Sequence, residues 1–251
     1  MTRGQARLLA WIVRIGLIAA IVGQVAWSFR PAVSRAQTEQ EALGRRLYES
    51  GCITCHGIDG DGTELGPTLE GVGTASVDFY LSTGRMPLAN PGDQPARRPP
   101  TYTDEEIAAL VAYLTPVVAG GPAIPDVDVA SAELQRGAQL FLNNCAACHG
   151  AGASGDSIGG GQIAPSLVEP TALQIVEAIR VGPGLMPRWS ERQMEPADAD
   201  AVAAYLVWIR DNADRGGLPL GRVGAVAEGL IAMVIGVGLI LLVIRLTRAK
   251  A

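Results

Sequence analysis

The sequence predicts an all-α fold: two tandem domains of similar plan, a C-terminal transmembrane helix and an N-terminal hydrophobic segment. Three observations predict it. The stretches GCITCHGIDG, from Gly51, and NNCAACHGAG, from Asn143, place two Cys-x-x-Cys-His runs 93 residues apart. The flanks of those runs also match, in the same order. No stretch alternates apolar and polar residues as a half-buried strand would, whereas long apolar runs stand at both ends of the chain.

The ends come first. Leu8 to Trp27 is apolar apart from Arg14 and Gln24, comes after Arg3 and Arg7, and leads to Ser34-Arg35-Ala36. Residues 1–36 are therefore a signal peptide or a retained membrane anchor, and both readings export the central body of the chain. Residues 226–246 form a run of about the twenty residues that a hydrocarbon core requires. Arg245, Arg248 and Lys250 sit at its C-terminal side. The positive-inside rule puts residues 247–251 in the cytoplasm and the body on the extracytoplasmic side of the cell membrane.

Between the ends lies an acidic body. From Gln37 to Arg222 there are 24 acidic and 12 basic residues, a net charge of −12, and the single lysine of the chain is Lys250. That balance excludes a basic nucleic-acid surface and either favours a basic docking face on a partner or serves only to keep the surface soluble.

The repeat covers most of the body. GRRLYESGC from Gly44 matches GAQLFLNNC from Gly137, GPTL from Gly66 matches APSL from Ala164, and GRMP from Gly84 matches GLMP from Gly184. Each copy closes on a matched helix, LVAYL from Leu110 and VAAYL from Val202. A repeat of this kind reads as two copies of one fold, at residues 37–118 and 131–213. The Gly- and Pro-rich stretch 119–130 is the expected linker, and 214–225 a second one leading to the anchor. Expected helices are Asp104 to Leu114 behind a Thr103 capping box, Ala132 to Asn143 capped by Ser131, Ala75 to Ser82, Thr171 to Val181, and Pro196 to Arg210 with proline in its first turn. The rest reads as loop. Gly44 and Gly137 would let helices cross closely, with Tyr48, Phe141, Tyr113 and Tyr205 packing around the crossing or the cofactor.

Cys-x-x-Cys-His is the attachment signature of c-type haem. Cys52 and Cys55, like Cys145 and Cys148, are spaced to add to two vinyl groups of one porphyrin, and His56 or His149 then reaches iron. A four-cysteine zinc site usually has closer pairs, a redox disulfide usually sits beside a βαβ unit, and a structural disulfide is allowed by export. None of these explains why the only two histidines each stand directly after the second cysteine. With no histidine left, Met86 and Met186, each in a Gly-x-Met-Pro run, are the expected sulfur ligands on the far side of iron. Such ligation raises the potential. Met194, present in one copy only, is expected to be packing or surface. Pro67 and Pro165 are either part of the haem loop or plain turn prolines.

Each copy resembles a class I cytochrome c. The two domains together, with STGRMP at Ser82 to Pro87, GPGLMPRWSERQ at Gly182 to Gln193 and the C-terminal anchor, resemble the dihaem cytochrome c subunit of the actinobacterial cytochrome bc complex. That resemblance implies an electron carrier within a quinol–cytochrome c reductase, with two covalently bound haem c groups. It implies as partners a cytochrome b subunit, a Rieske iron–sulfur subunit and the copper-bearing subunit of an aa3-type oxidase. On it, Cys52, Cys55, His56 and Met86 hold the accepting haem, and Cys145, Cys148, His149 and Met186 the donating one. A dihaem subunit of a cbb3-type oxidase or a membrane dehydrogenase is the alternative, and a dihaem peroxidase would need an open iron position.

Overall fold

The computed structural model describes residues 11, 14–18, 38–93, 95–212 and 225–248. Trp11 and residues 14–18 are helical; the rest of the N-terminal segment and most of the stretch 214–225 lie outside the described residues. The chain divides into two units, Met1–Gly121 and Pro122–Ala251.

In the first unit α1 spans residues 38–51, and α2 (Ile53–His56), α3 (Thr74–Ser82) and α4 (Asp104–Leu114) come after it. Thr103 opens α4 with the expected box: its hydroxyl accepts from the Glu106 N–H, and the Glu106 carboxylate accepts from the Thr103 N–H, so two otherwise unpaired donors of the first turn are satisfied. The core between these helices is built on Tyr48, Val77, Leu81, Ile107 and Leu110.

The second unit repeats the plan with α5 (Leu134–Asn144), α6 (Ala146–His149), α7 (Ala172–Val181) and α8 (Pro196–Asn212). Its core gathers Phe141, Val176, Ile179, Val202 and Leu206. Thr171 precedes α7 and forms a second capping box with Gln174. Ser131 does not cap α5, contrary to expectation. Its hydroxyl donates to Asp128, and the helix begins at Leu134 after Glu133. Asp128 holds 128–131 in a turn of its own, accepting from the Ala130 and Ser131 N–H groups and from the Ser131 hydroxyl, and the helix starts only beyond it.

Two further departures are local. Residues 156–164 read as loop in the sequence, yet β1 (Asp156–Gly159) and β2 (Gln162–Ala164) pair antiparallel, Ser157 against Ile163. Gly159, Gly160 and Gly161 all have positive φ, a backbone that glycine adopts without steric cost. Strands this short, on an almost fully exposed ribbon, leave no alternation to read. The linker expected at 119–130 is also partly structured, since Val127 and Val129 pack on the second core.

Helix α9 (Ala225–Arg248) has 24 residues, a length of about 36 Å at 1.5 Å per residue. From Leu230 to Leu246 its large apolar side chains are exposed. Its stretch Gly229–Arg248 is long and apolar enough to cross a membrane.

Helices α1 and α4 cross at a glycine, and so do α5 and α8. A Cβ on Gly44 would run into the Ala109 carbonyl and lie 2.8 Å from Tyr113 Cβ; one on Gly137 would run into the Ala201 carbonyl and lie 3.1 Å from Tyr205 Cβ. One turn on, aromatic pairs close the crossing: Tyr48 with Tyr113 at 5.7 Å and Phe141 with Tyr205 at 5.8 Å between centroids. Arg136 clamps the second crossing from outside with two 2.8 Å bonds to Asp198.

Alanine at Gly137 would gain about 1 kcal/mol of helix propensity, but the helix it meets is packed and cannot retreat. Gly137→Ala should lower stability by about 1–3 kcal/mol as overpacked cores do, measured by thermal unfolding of the loaded protein. Gly152→Ala, where a Cβ meets nothing within 4 Å, should stay within about 0.5 kcal/mol of the parent.

Candidate functional site

Each candidate site begins two turns beyond a helix crossing. Gly44, Tyr48 and Cys52 succeed one another at intervals of four, as do Gly137, Phe141 and Cys145, so crossing, aromatic and first thiol share a helix face. The Cys52 N–H donates to the Tyr48 carbonyl at 2.9 Å and that of Cys145 to Phe141 at 2.8 Å. The next turn is tight. Cys55 N–H and His56 N–H both donate to the Cys52 carbonyl, and Cys148 and His149 repeat this on Cys145. That turn, α2 in one unit and α6 in the other, brings the two thiols and the imidazole of each run together.

The four cysteines are free of disulfides. Burial pushes the Cys52 thiol up to about 11, with Cys55 beside it adding to the rise. Cys145 is pushed up to about 11 in the same way, by burial and then by Cys148. Among the described residues no group of three or more His, Cys, Asp and Glu gathers to hold a metal ion.

The histidine rings are held by the proline loops. His56 Nδ1 lies 2.8 Å from the Pro67 carbonyl and His149 Nδ1 2.9 Å from the Pro165 carbonyl. A carbonyl only accepts, so Nδ1 carries the proton and Nε2 keeps its lone pair, the arrangement typical of a ligating histidine. Burial lowers the His149 pKa, partly offset by the Pro165 carbonyl, which favours the neutral ring that can bind a metal. Pro67 and Pro165 thus supply the carbonyls that orient the rings.

What brings each proline back is a glycine six residues after each histidine. Gly62 N–H donates to the His56 carbonyl at 2.8 Å and Gly155 N–H to that of His149 at 2.9 Å. Both have positive φ, and a Cβ on either would press on the proline segment, 2.8 Å from Pro67 C or 2.9 Å from Pro165 C. The loop then closes through matched bonds, Leu69 N–H to Gly60 and Leu167 N–H to Ala153. The matched spacing of these glycines is present in the sequence but is inconspicuous in loops rich in glycine.

The methionines are partly buried, each against the core of its own unit. Met86 packs against the core that also takes Cys52, and Met186 against the core that takes Cys145. Met86 N–H donates to the Tyr80 carbonyl at 3.0 Å and Met186 N–H to Pro183 at 3.1 Å. Met194 is 3% exposed within the second core, a packing residue. The donor set of each unit is therefore two adjacent thiols, an imidazole with Nε2 available, and a thioether on the same core. It fits a haem c, whose two thioether bonds the cysteines could form and whose iron the histidine and the methionine could ligate.

Comparison with known proteins agrees with this geometry. The family described as cytochrome c matches residues 41–117, and that described as cytochrome c oxidase, cbb3-type, subunit III matches residues 132–206. Both units are cytochrome c domains. The cytochrome bc1 complex cytochrome c subunit of Corynebacterium diphtheriae is 33% identical over 226 residues, covering 82% of this chain and 80% of that protein. The subunit of the same name from Mycobacterium leprae is 35% identical over 218 residues, covering 82% and 75%. A cbb3-type cytochrome c oxidase subunit CcoP from Azospirillum brasilense is more distant, 28% identical over 186 residues, covering 66% and 60%. The chain belongs to the family of cytochrome bc1 complex cytochrome c subunits.

Gly155→Ala should displace the Pro165 carbonyl and leave His149 without its acceptor. The Nδ1 proton of His149 should then exchange with solvent faster than in the parent while that of His56 is unaffected, as read by nitrogen-edited NMR of the ferrous protein. Equal exchange at His149 in parent and variant would show that the loop does not hold the ring.

Proposed function

We propose that this chain is the membrane-anchored dihaem subunit that carries electrons out of a quinol-oxidising cytochrome bc complex, from a Rieske iron–sulfur subunit to the copper-bearing subunit of an aa3-type oxidase. Two cytochrome c domains in a subunit of this family imply covalently bound haem c, one group to each domain. When bound, each group supplies an iron that exchanges one electron with little rearrangement. Everything else falls to the chain. Cys52 and Cys55 hold the first group and Cys145 and Cys148 the second, so neither can be lost outside the membrane. His56 and His149 present Nε2 to iron. Met86 and Met186 would each give iron a sulfur ligand, which would raise the potential and leave oxygen or peroxide no vacant position.

The observation that most supports this reading is the match of the bonds that hold each histidine: ring to proline carbonyl, glycine N–H to histidine carbonyl, and leucine N–H across the base of the loop. Two sites built alike favour relay over catalysis, since a peroxidase needs one open iron. The bc-type reading is further supported over the cbb3-type one by the higher identity and wider coverage of the bc1 subunits. Helix α9 supports anchoring, with the haem domains extracytoplasmic and the basic C-terminal tail in the cytoplasm. A tethered carrier faces its acceptor at a high effective concentration, which suits transfer without a diffusing cytochrome.

Purified in mild detergent, the tagged chain should bring with it b-type haem, a Rieske subunit and an aa3-type oxidase; recovery of the loaded chain with none of these rejects the proposed placement. Met186→Ala should abolish the sulfur-to-iron charge-transfer band of the second haem and lower its potential. Met194→Ala should leave that band intact, and an outcome reversed between the two variants reassigns the ligand.

A further inference from the structure

Arg85 stands directly before Met86, and it is only 9% exposed. A guanidinium keeps its charge in proteins, and a buried cation with no anion is strongly unfavourable. Its Cζ lies 4.8 Å from the centroid of the Phe79 ring, a contact that engages the flat face of the fork but takes none of its N–H groups. Nη1 is sealed from solvent and reaches no hydrogen-bond acceptor among the described residues. Arg97 adds a like charge nearby.

The second unit provides the comparison. Arg180 is equally buried, at 6% exposure, but its Nη1 donates to the carbonyls of Met194 at 2.8 Å and Trp189 at 3.2 Å. The residue matched to Arg85 by the repeat is Leu185, which is 70% exposed. The first unit therefore buries beside Met86 a guanidinium whose Nη1 meets no acceptor among the described residues, and the matched position of the second unit carries an exposed leucine instead.

We propose that Arg85 is the anion-binding side chain of the first haem site, with Nη1 donating to a propionate carboxylate of the haem. The inference rests on the haem reading given above. A guanidinium–carboxylate bond is charge-assisted and is geometrically suited to a planar acceptor. Arg85 is a positioning residue with an electrostatic effect. It offsets a negative charge that would otherwise stabilise ferric iron, and so it holds the first haem at a higher potential than the same site would have without it.

The test is redox titration of the loaded complex in detergent, with the first haem identified as the component whose sulfur band is lost in Met86→Ala. Arg85→Gln should lower the midpoint of the first haem by about tenfold in its one-electron equilibrium, or about 59 mV, and leave the second haem unchanged. Arg85→Lys should restore most of the shift. An Arg85→Gln protein that keeps both haems, a low-spin spectrum and the parental first midpoint overturns the assignment. Should the glutamine variant fail to load, Arg85→Lys decides through reduced-minus-oxidised infrared spectra: shifted propionate bands from the first haem support the contact, and parental bands overturn it. Intact mass separates this inference from its premise, because a parent chain lacking two haem increments would refute the haem reading itself.

Discussion

The close crossing of α1 with α4, and of α5 with α8, is the constraint on which the rest depends. Gly44 and Gly137 each meet a backbone carbonyl where a Cβ would stand, so neither helix can rotate or slide without losing the contact. Because Tyr48 and Cys52, or Phe141 and Cys145, come after the glycine at helical spacing, fixing the crossing also fixes where the first thiol faces. The aromatic ring fills the wedge that opens beyond the crossing and buries the start of the Cys-x-x-Cys-His turn. The site is thus indexed to the packing of two helices rather than to a mobile loop.

The second layer of control is the carbonyl that orients each histidine. The chain returns to the imidazole through a loop of eleven residues in one unit, His56 to Pro67, and sixteen in the other, His149 to Pro165. The extra length is taken up by the exposed β1–β2 hairpin, while the bonds at the loop's base are the same in both units. Insertion is tolerated where the backbone bonds to itself and to water, and not where it bonds to the ring.

The units differ most around the methionine. In the first, the stretch between Met86 and α4 is long and carries Arg97 and Arg98, with the Arg98 guanidinium donating to the Pro87 carbonyl and its N–H to Thr83. In the second, Met186 is succeeded within a few residues by Trp189, whose N–H returns to the Ile179 carbonyl. Two sites with the same donor set are thereby given different electrostatic surroundings.

Read without the fold, the residue order already contains the mostly helical plan, the repeat, the standing of each histidine directly after two cysteines, and the glycine crossings. These are legible because helix periodicity, caps and covalent motifs are short-range and are written in adjacent residues. It took the folded chain to show that Pro67 and Pro165 serve through their carbonyls, that Ser131 turns to Asp128, that 156–164 folds as a hairpin, and that Arg85 is buried with its Nη1 unmet among the described residues. Each of those is settled by which groups compete for one another across a loop, and a backbone carbonyl or a buried guanidinium leaves no periodic trace in the order of the side chains.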